Sequence, residues 1–380
     1  MKIVYVVGGL LAPSGMGAVL SAKINYLAEH TDYELYMILT EKAGQKWYYT
    51  INPKVHWINF DINFDELDTM PLLKKLYFYQ QKQRRYKKMF TDYLMEVRPD
   101  ITVSTVRREI NFINDIPDGS KKVGEIHFNK SNYRNINFPF FPDSFNKYFS
   151  CKWMKSLEKQ ITRLDCFVVL THKDAPYWSG ISSVQVIPNF VTHFPMHYSS
   201  CVNKQVIAVG RYDQVKGFDL LIQAWKIIMK SHPQWKLDIY GPGNREVYQK
   251  MADDMGLGKV VHCNGSISDL DCKYTESSLF VLSSRNEGFG LVLVEAMAAG
   301  LPVVSFDCPC GPSDIIKNGE DGLLVENGNV EKLADAICWM ISHPEERKLY
   351  GLQARRNAMR FSQDKVMAKW LNLFQSLVTS

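Results

Sequence analysis

The sequence predicts an α/β protein of two domains, each with its own parallel sheet. The 380 residues are 46% hydrophobic and 22% charged, as in an ordinary globular protein, and this length is enough for two or three domains. Short apolar runs of strand length alternate with helical segments along the chain. The alternation breaks off at residues 191–203, which lack periodicity and carry turn formers. We therefore place the domain boundary there.

The first predicted domain, residues 1–195, opens with an apolar run that is followed by a glycine-rich loop, residues 8–17. Residues 3–22 carry no charge, which could suggest a signal peptide or a membrane span. Glycines and Pro13 interrupt this stretch, however, so a strand, a loop and a helix fit it better than an anchor.

A long helix is predicted over residues 71–97, because apolar residues recur at helical spacing from Tyr86 through Phe90 and Leu94 to Val97. The other predicted elements of this domain alternate in the same way. The strands are 2–7, 33–39, 55–59, 101–104, 121–126, 166–170 and 184–187, and the other helices are 16–29 and 152–163.

The alternation restarts in the second predicted domain, residues 196–362. Strands are predicted over 205–209, 235–240, 259–263, 279–282 and 303–306, and helices over 218–230, 292–299, 330–342 and 344–360. A last helix is predicted over 363–378, in the terminal segment 363–380, and its length and apolar spacing would allow it to return to the first domain.

The most informative stretch is residues 285–302, in which a Gly-Phe-Gly loop connects a strand to a helix of small and apolar residues. Backbone N–H groups at such a helix start can bind an anion. Glu287 lies in the loop and Glu295 in the helix, where a buried carboxylate needs a partner. Carboxylates beside an anion site suit a ligand with hydroxyls around a phosphate, which is a nucleotide sugar. The alternative is a plain strand–helix corner with turn glycines and solvated glutamates.

A second loop carries two cations at a helix start, Arg211 and Lys216. Arginine can bind a phosphate with two parallel hydrogen bonds, and lysine acts as a point charge. The pair therefore predicts a diphosphate site. Either cation alone would more simply be a surface residue of a loop.

These segments resemble the retaining glycosyltransferases of family 4, which have the GT-B fold. The resemblance rests on Glu287 to Glu295 with the Gly-Phe-Gly-Leu between them, and on the Gly-Arg…Lys-Gly segment from Gly210. It covers nearly the whole chain but is strong only from 205 to 325. It implies two Rossmann-like domains that face a central cleft, a terminal helix that crosses back to the first domain, and retaining transfer of a hexose, with UDP as the suggested carrier.

The resemblance also implies roles for individual residues. Arg211, Lys216, Glu287 and His127 would be catalytic: the two cations would stabilise the leaving diphosphate, Glu287 would hold donor-sugar hydroxyls, and His127 would contact the sugar. The leaving phosphate itself would take the acceptor's proton. Glu295 would hold the ribose. The remaining donor-binding positions would contribute backbone, and they are Gly15, Gly17, Gly210, Gly241, Gly288, Phe289, Gly290 and Leu291.

Charge is uneven along the chain. Residues 1–195 hold 25 Lys and Arg against 19 Asp and Glu, whereas the remainder is close to neutral. Much of the excess lies in an acid-free segment, residues 74–88, in which cations alternate with aromatic residues. Such a segment could bind anionic lipid headgroups or form one solvated face of a helix. Nucleic acid is the least favoured partner.

The eight cysteines show no zinc-ligand spacing, so we interpret them as reduced thiols of a cytoplasmic protein. No Asp-x-Asp metal site stands out in the sequence, and we expect activity without a metal or a cofactor. The predicted partners are a nucleotide sugar and a glycan acceptor, which we expect to be lipid-linked at the inner face of the plasma membrane. Surface polysaccharide, capsule or O-antigen, would be the product.

Two other functions remain open on the sequence. A sugar-nucleotide epimerase on a similar scaffold would need a set of acid and base side chains that we do not find. A non-catalytic nucleotide-sugar binding protein would have no reason to keep Arg211, Lys216, Glu287 and Glu295 together. The sequence does not identify the hexose, the linkage, the acceptor or the oligomeric state.

Overall fold

A computed structural model describes residues 1–11, 14–130 and 142–379. The chain forms two compact units. Unit 1 contains the residues up to 170, residues 175–187 and the chain from 367 onward, and unit 2 contains residues 171–174 and 188–366. Positions 12 and 13 of the predicted glycine-rich loop lie outside the described residues.

Unit 1 is built on a seven-stranded sheet in which all paired strands are parallel. Its strands are β1 (Lys2–Val7), β2 (Glu34–Leu39), β3 (His56–Asn59), β4 (Ile101–Ser104), β5 (Lys121–Glu125), β6 (Cys166–Val169) and β7 (Val184–Val186). The strand order is β3-β2-β1-β4-β5-β6-β7. The direction of strand addition therefore reverses beside β1, where the following loops diverge and leave a crevice.

The helices of unit 1 are α1 (Gly15–His30), α2 (Leu72–Val97) and α3 (Asp143–Ile161). The predicted buried face of α2 is confirmed, since Tyr86, Phe90 and Leu94 lie in the core. Helix α3 begins well before the predicted residue 152. Its first half exposes aromatic side chains such as Tyr148 and Phe149, so the apolar periodicity of a packed helix appears only in its second half.

Unit 2 contains a six-stranded parallel sheet with the order β10-β9-β8-β11-β12-β13. The strands are β8 (Gln205–Val209), β9 (Lys236–Tyr240), β10 (Val261–Asn264), β11 (Leu279–Leu282), β12 (Val303–Phe306) and β13 (Gly322–Val325). Its helices are α4 (Phe218–Ile228), α5 (Arg245–Asp254), α6 (Leu270–Glu276), α7 (Leu291–Ala298), α8 (Pro312–Ile315), α9 (Val330–Ser342) and α10 (Pro344–Ala358). The sequence prediction omitted α5, α6 and α8, which are short.

The last helix, α11 (Gln363–Thr379), starts in unit 2 and belongs to unit 1 from Met367 onward. The units divide after residue 187, whereas the sequence interpretation divided the chain after 195. Residues 188–195 join unit 2 because their backbone bonds to it: the Val191 N–H donates to the carbonyl of Phe361 at 3.0 Å, and Arg355 donates to that of Pro195 at 2.7 Å. Among the described residues, none of the helices combines the length and the apolar composition of a membrane-spanning segment.

Candidate functional site

The loops that follow β8, β9 and β11 meet at the carboxyl edge of the unit 2 sheet. Gly210 N–H donates to the carbonyl of Tyr240 at 2.9 Å. Gly241 adopts φ +156°, and a Cβ atom there would lie 1.8 Å from the Gly210 carbonyl oxygen. Only glycine permits this approach. Since β9 and β11 lie on opposite sides of β8, this edge is the switch point where open parallel sheets bind ligands.

Lys216 and Glu287, one from each of two such loops, form an ion pair at this edge. The distance from Lys216 Nζ to Glu287 Oε1 is 2.7 Å, and the two side chains are 17% and 9% exposed. Ser284 Oγ also donates to Glu287 Oε1, at 2.6 Å. A carboxylate with these two donors has a fixed orientation, and the ammonium beside it is mostly shielded from water. Lys216, Ser284 and Glu287 therefore form a polar centre in which the protein holds the charged groups in fixed positions.

The turn that carries Lys216 is fixed by its own capping interactions. Asp213 accepts a hydrogen bond from the Lys216 N–H at 3.1 Å, as an N-cap residue does. The aliphatic stem of Lys216 lies against Gly210, where a Cβ atom would be 3.1 Å from Lys216 Cγ and Cδ. Arg211, in contrast, is 72% exposed and pairs with Asp213 at 3.0 Å. The two predicted cations thus share one loop, but only Lys216 reaches Glu287.

The Gly-Phe-Gly loop leads directly into α7. Gly290 is the N-cap of this helix with φ +92°, and its carbonyl accepts from the N–H of Leu293 at 2.9 Å. Phe289 is buried edge-on against Phe361, while Gly288 and Leu291 are partly buried. The first turn of α7 carries no acidic side chain. Its N-terminal N–H groups and the helix dipole therefore favour an anion at this end.

Glu295 lies inside α7 and is partly buried. The hydroxyl of Tyr274 is 3.3 Å from Glu295 Oε2 and supplies the partner that a carboxylate in this position needs. Burial raises the pKa of Glu295 to about 7, with the hydrogen bond from Tyr274 opposing this shift. Near neutral pH, Glu295 can therefore exchange a proton, and a ligand that donates hydrogen bonds to it would favour its ionised form.

This pKa shift predicts a pH-dependent stability. A carboxyl group whose folded-state pKa is raised stabilises the fold fully below its ordinary pKa of 4.5, and that contribution is lost as pH rises through about 7. We expect the melting temperature of the wild type, relative to that of Glu295→Gln, to fall by a few degrees between pH 5 and pH 8. Thermal unfolding of both proteins across this range measures the difference. The control is Glu331→Gln, at an exposed position in the same unit, and its melting temperature relative to the wild type should not change with pH. If the difference in melting temperature between the wild type and Glu295→Gln were the same at pH 5 and pH 8, the assignment would be contradicted.

The glycines predicted in unit 1 lie at the start of α1. Ser14 caps this helix by accepting from the Gly17 N–H at 3.0 Å. The Tyr49 hydroxyl donates to the Ser14 carbonyl and accepts from the Ser14 N–H, each at 2.7 Å. A Cβ atom on Gly17 would lie 2.7 Å from the Tyr49 ring. Close packing of Tyr49 therefore explains Gly17 by itself, while Gly15 is exposed.

His127 follows β5 and is 3% exposed. Its Nε2 lies 3.3 Å from Glu125 Oε1, and within the described part of the chain its Nδ1 has no hydrogen-bond partner. Glu125 forms a buried ion pair with Lys23, and Lys23 Nζ lies 3.6 Å from the centroid of the Trp370 ring. Burial would raise the pKa of Glu125, but Lys23 and His127 lower it to about 2.

Sequence reasoning missed this buried cluster of Lys23, Glu125 and Trp370. One local signal was present: Lys23 stands between Leu20 and Leu27 on the buried face of α1. A lone lysine in an apolar helical stripe needs an acidic partner, but the sequence does not say which acid supplies it.

The basic segment of α2 is only partly a free charged surface. Lys75 pairs with Asp68 at 2.9 Å and Lys82 with Glu66 at 2.9 Å, and Lys87 lies 3.7 Å from Asp115. The exposed residues at the start of the helix are more distinctive, since they are apolar and aromatic. They are Leu73, Leu76, Tyr77 and Phe78, next to the exposed cation Lys74.

All eight cysteines are free thiols. Among the described residues, no group of three or more His, Cys, Asp or Glu side chains could hold a metal ion.

Comparison with known families and proteins adds a match to the second half of the chain. Residues 202–357 match the family of glycosyl transferases group 1. An uncharacterized glycosyltransferase of Haemophilus influenzae is 30% identical over 215 residues, which are 55% of this chain and 61% of that protein. The poly(ribitol-phosphate) alpha-N-acetylglucosaminyltransferase of Staphylococcus aureus is 33% identical over 200 residues, 52% of this chain and 40% of the relative. The chain therefore matches only part of each relative's length.

Solved structures with the same fold extend over the whole chain. Sucrose-phosphate synthase from Thermosynechococcus elongatus has a TM-score of 0.81 at 18% identity, covering 100% of this chain and 99% of its own. A TarM variant of S. aureus, solved with fondaparinux, alpha-GlcNAc-glycerol and UDP, has a TM-score of 0.76 at 19% identity, covering 98% and 99%. The predicted fold class, GT-B with two parallel-sheet α/β domains, is confirmed.

Proposed function

We propose that this protein is a retaining glycosyltransferase that moves a hexose from a UDP-sugar to a glycan acceptor in surface polysaccharide biosynthesis. The observation that carries the proposal is the ion pair of Lys216 and Glu287 at 2.7 Å, at the carboxyl edge of the unit 2 sheet. This pair lies within the segment that matches the glycosyl transferases group 1. The relative from S. aureus is named for transfer of N-acetylglucosamine to a polymer, which supports a polysaccharide product.

In the proposed reaction, the bond between the anomeric carbon and the diphosphate breaks, and the acceptor oxygen bonds to that carbon on the same face. The leaving phosphate takes the acceptor's proton. Lys216 would neutralise the charge that develops on the departing diphosphate, with Arg211 and the N–H groups of residues 288–291 assisting. A preorganised cation in a shielded site stabilises such charge more than it would in water. This mechanism needs no metal, because cationic side chains supply the positive charge.

The carboxylates would hold the sugars. Glu287 is oriented by Lys216 and Ser284, and we propose that this carboxylate binds donor-sugar hydroxyls. Glu295 would accept from the ribose, and its pKa of about 7 means that ribose binding would release a proton near neutral pH. We propose that His127 contacts the transferring sugar.

Incubation with UDP-sugars tests the function directly. We expect radiolabelled hexose to appear in a glycan or lipid-linked glycan acceptor with the anomeric configuration retained. Thermal stabilisation should be larger with UDP-sugars than with GDP- or ADP-sugars, since tight binding raises apparent stability. Conversion of a UDP-sugar into an epimer without any acceptor would instead indicate an epimerase. Binding of UDP-sugar without transfer to any acceptor tried would favour a non-catalytic binding protein.

We also propose that the enzyme acts in the cytoplasm at the inner face of the plasma membrane, with a lipid-linked acceptor. The support is the start of α2, where exposed Leu73, Leu76 and Tyr77 adjoin Lys74. Apolar side chains combined with cations bind anionic bilayers, because each type of contact adds to the other.

The protein is therefore expected to sediment with vesicles that contain anionic phospholipid at low salt, and to bind less as salt is added. The double substitution Leu73→Ser and Leu76→Ser should reduce this binding. Leu349→Ser, which alters an exposed leucine of unit 2, serves as the matched control. Equal sedimentation with neutral and anionic vesicles would exclude the proposed surface.

A further inference from the structure

Arg285 lies in the loop after β11, between Ser284 and Glu287 of the polar centre. Its guanidinium instead donates to both carboxylate oxygens of Asp219, with Nη1–Oδ1 at 2.8 Å and Nη2–Oδ2 at 2.7 Å. Asp219 stands in the first turn of α4. Hydrogen bonding to Arg285 lowers the pKa of Asp219, and the same bond raises that of Arg285. Both groups are therefore charged throughout the physiological range.

The same arginine is fixed by backbone contacts to the Lys216 turn. The backbone N–H of Arg285 donates to the backbone carbonyl of Val215 at 2.8 Å. Beside it, Ser283 Oγ donates to the Lys216 carbonyl at 2.9 Å. Gly217 has φ +63°, and a Cβ atom there would lie 2.1 Å from the Ser283 carbonyl oxygen. The backbones of the two loops are therefore in direct contact. The ion pair of Arg285 and Asp219 adds a side-chain contact between the same two segments.

We propose that Arg285, through Asp219, is a positioning residue that sets the separation of Lys216 and Glu287 for the diphosphate sugar. This inference rests on the proposed function. Lys216 and Glu287 are 71 positions apart in the chain, and their loops follow the paired strands β8 and β11, so contacts between these loops adjust the relative position of the two side chains. A planar guanidinium with two parallel hydrogen bonds defines both distance and angle, which a lysine in its place would not.

The competing interpretation is a stabilising ion pair with no bearing on the ligand. Arg285 and Asp219 are each about one third exposed, and pairs of this kind contribute little to stability. The two interpretations differ in what they predict for ligands with and without phosphates. A positioning residue acts through Lys216 and therefore on the diphosphate, whereas a general stabiliser affects every ligand of the unit equally.

The experiment measures binding of UDP and of uridine, and the kcat and KM of transfer, for Arg285→Ala. We expect UDP affinity to fall about tenfold and kcat about 100-fold, while uridine affinity is unchanged. In a Lys216→Ala background, Arg285→Ala should add no further loss, because its effect passes through that lysine. Arg285→Lys should recover only part of the loss, since it cannot make both hydrogen bonds.

Lys332→Ala removes an exposed ion pair with Glu326 in the same unit and should leave every value unchanged. If Arg285→Ala does not fold, Asp219→Asn provides the same comparison with little change of shape. Equal losses for UDP and uridine, or additive losses with Lys216→Ala, would overturn the positioning role. If the wild-type protein binds UDP but transfers hexose to no acceptor, the proposed function fails, whereas the comparison of UDP with uridine still tests the positioning role, so the two failures are distinguishable.

Discussion

Replacement of Lys216 by alanine is expected to lower kcat/KM for hexose transfer by about 100- to 1000-fold. The ammonium lies 2.7 Å from Glu287 and is mostly shielded from water. Removing one preorganised group that stabilises a developing negative charge typically has an effect of about this size. Steady-state transfer from a UDP-sugar measures it, and a thermal unfolding curve shows whether the variant is folded.

The matched control for this variant is Lys226→Ala. Lys226 is an exposed lysine on α4, close in sequence but outside the candidate site, and its loss should leave transfer unchanged. Full activity of a folded Lys216→Ala protein would remove the assignment of Lys216 to the leaving group. If both UDP affinity and transfer activity fell, the assignment would be supported, since the lysine is proposed to contact the diphosphate in both the bound and the reacting state.

Replacement of Lys23 by alanine is expected to destabilise unit 1 by about 3–5 kcal/mol, the usual effect of removing one partner of a buried ion pair. Lys23 and Glu125 are each 1% exposed, and Lys23 also lies over the Trp370 ring. Without the lysine, the carboxylate would remain buried with its main counter-charge gone. A denaturant or thermal unfolding transition of unit 1 measures the loss.

The double substitution Lys23→Met and Glu125→Leu separates charge burial from packing. It replaces both charges by apolar groups of similar volume, so it should recover most of the stability that Lys23→Ala loses. Lys46→Ala, at an exposed position, is the control for the loss of a lysine as such. A loss below about 1 kcal/mol for Lys23→Ala would mean that water or a neighbouring cation compensates Glu125.

The local pattern of the chain predicted much of the fold. Helix α2 was expected over 71–97 and spans Leu72–Val97, because its apolar residues recur at helical spacing. The start of α3 was placed too late. Its exposed aromatic residues, such as Tyr148, do not repeat on a buried face and therefore gave no helical signal.

The candidate site shows the same division. Lys216 and Glu287 were each predicted from the pattern of their own loops, but the contact between the two side chains could not be predicted. Tyr274, which is the partner of Glu295, lies on a helix that the sequence prediction omitted. Arg285 stood inside the most informative stretch, yet the role that we propose for it depends on Asp219, a residue of a different loop–helix junction.

Local patterns along the chain were enough to predict the two α/β units, most of their strands and long helices, and the loops that carry the candidate site. These features depend on apolar periodicity and on glycine and proline, which act over a few neighbouring residues. Which charged side chains contact each other became clear only from the three-dimensional fold. Lys23 and Glu125 are 102 positions apart, and they meet because helix α1 packs beside the end of strand β5, a contact between distant segments that no local pattern encodes.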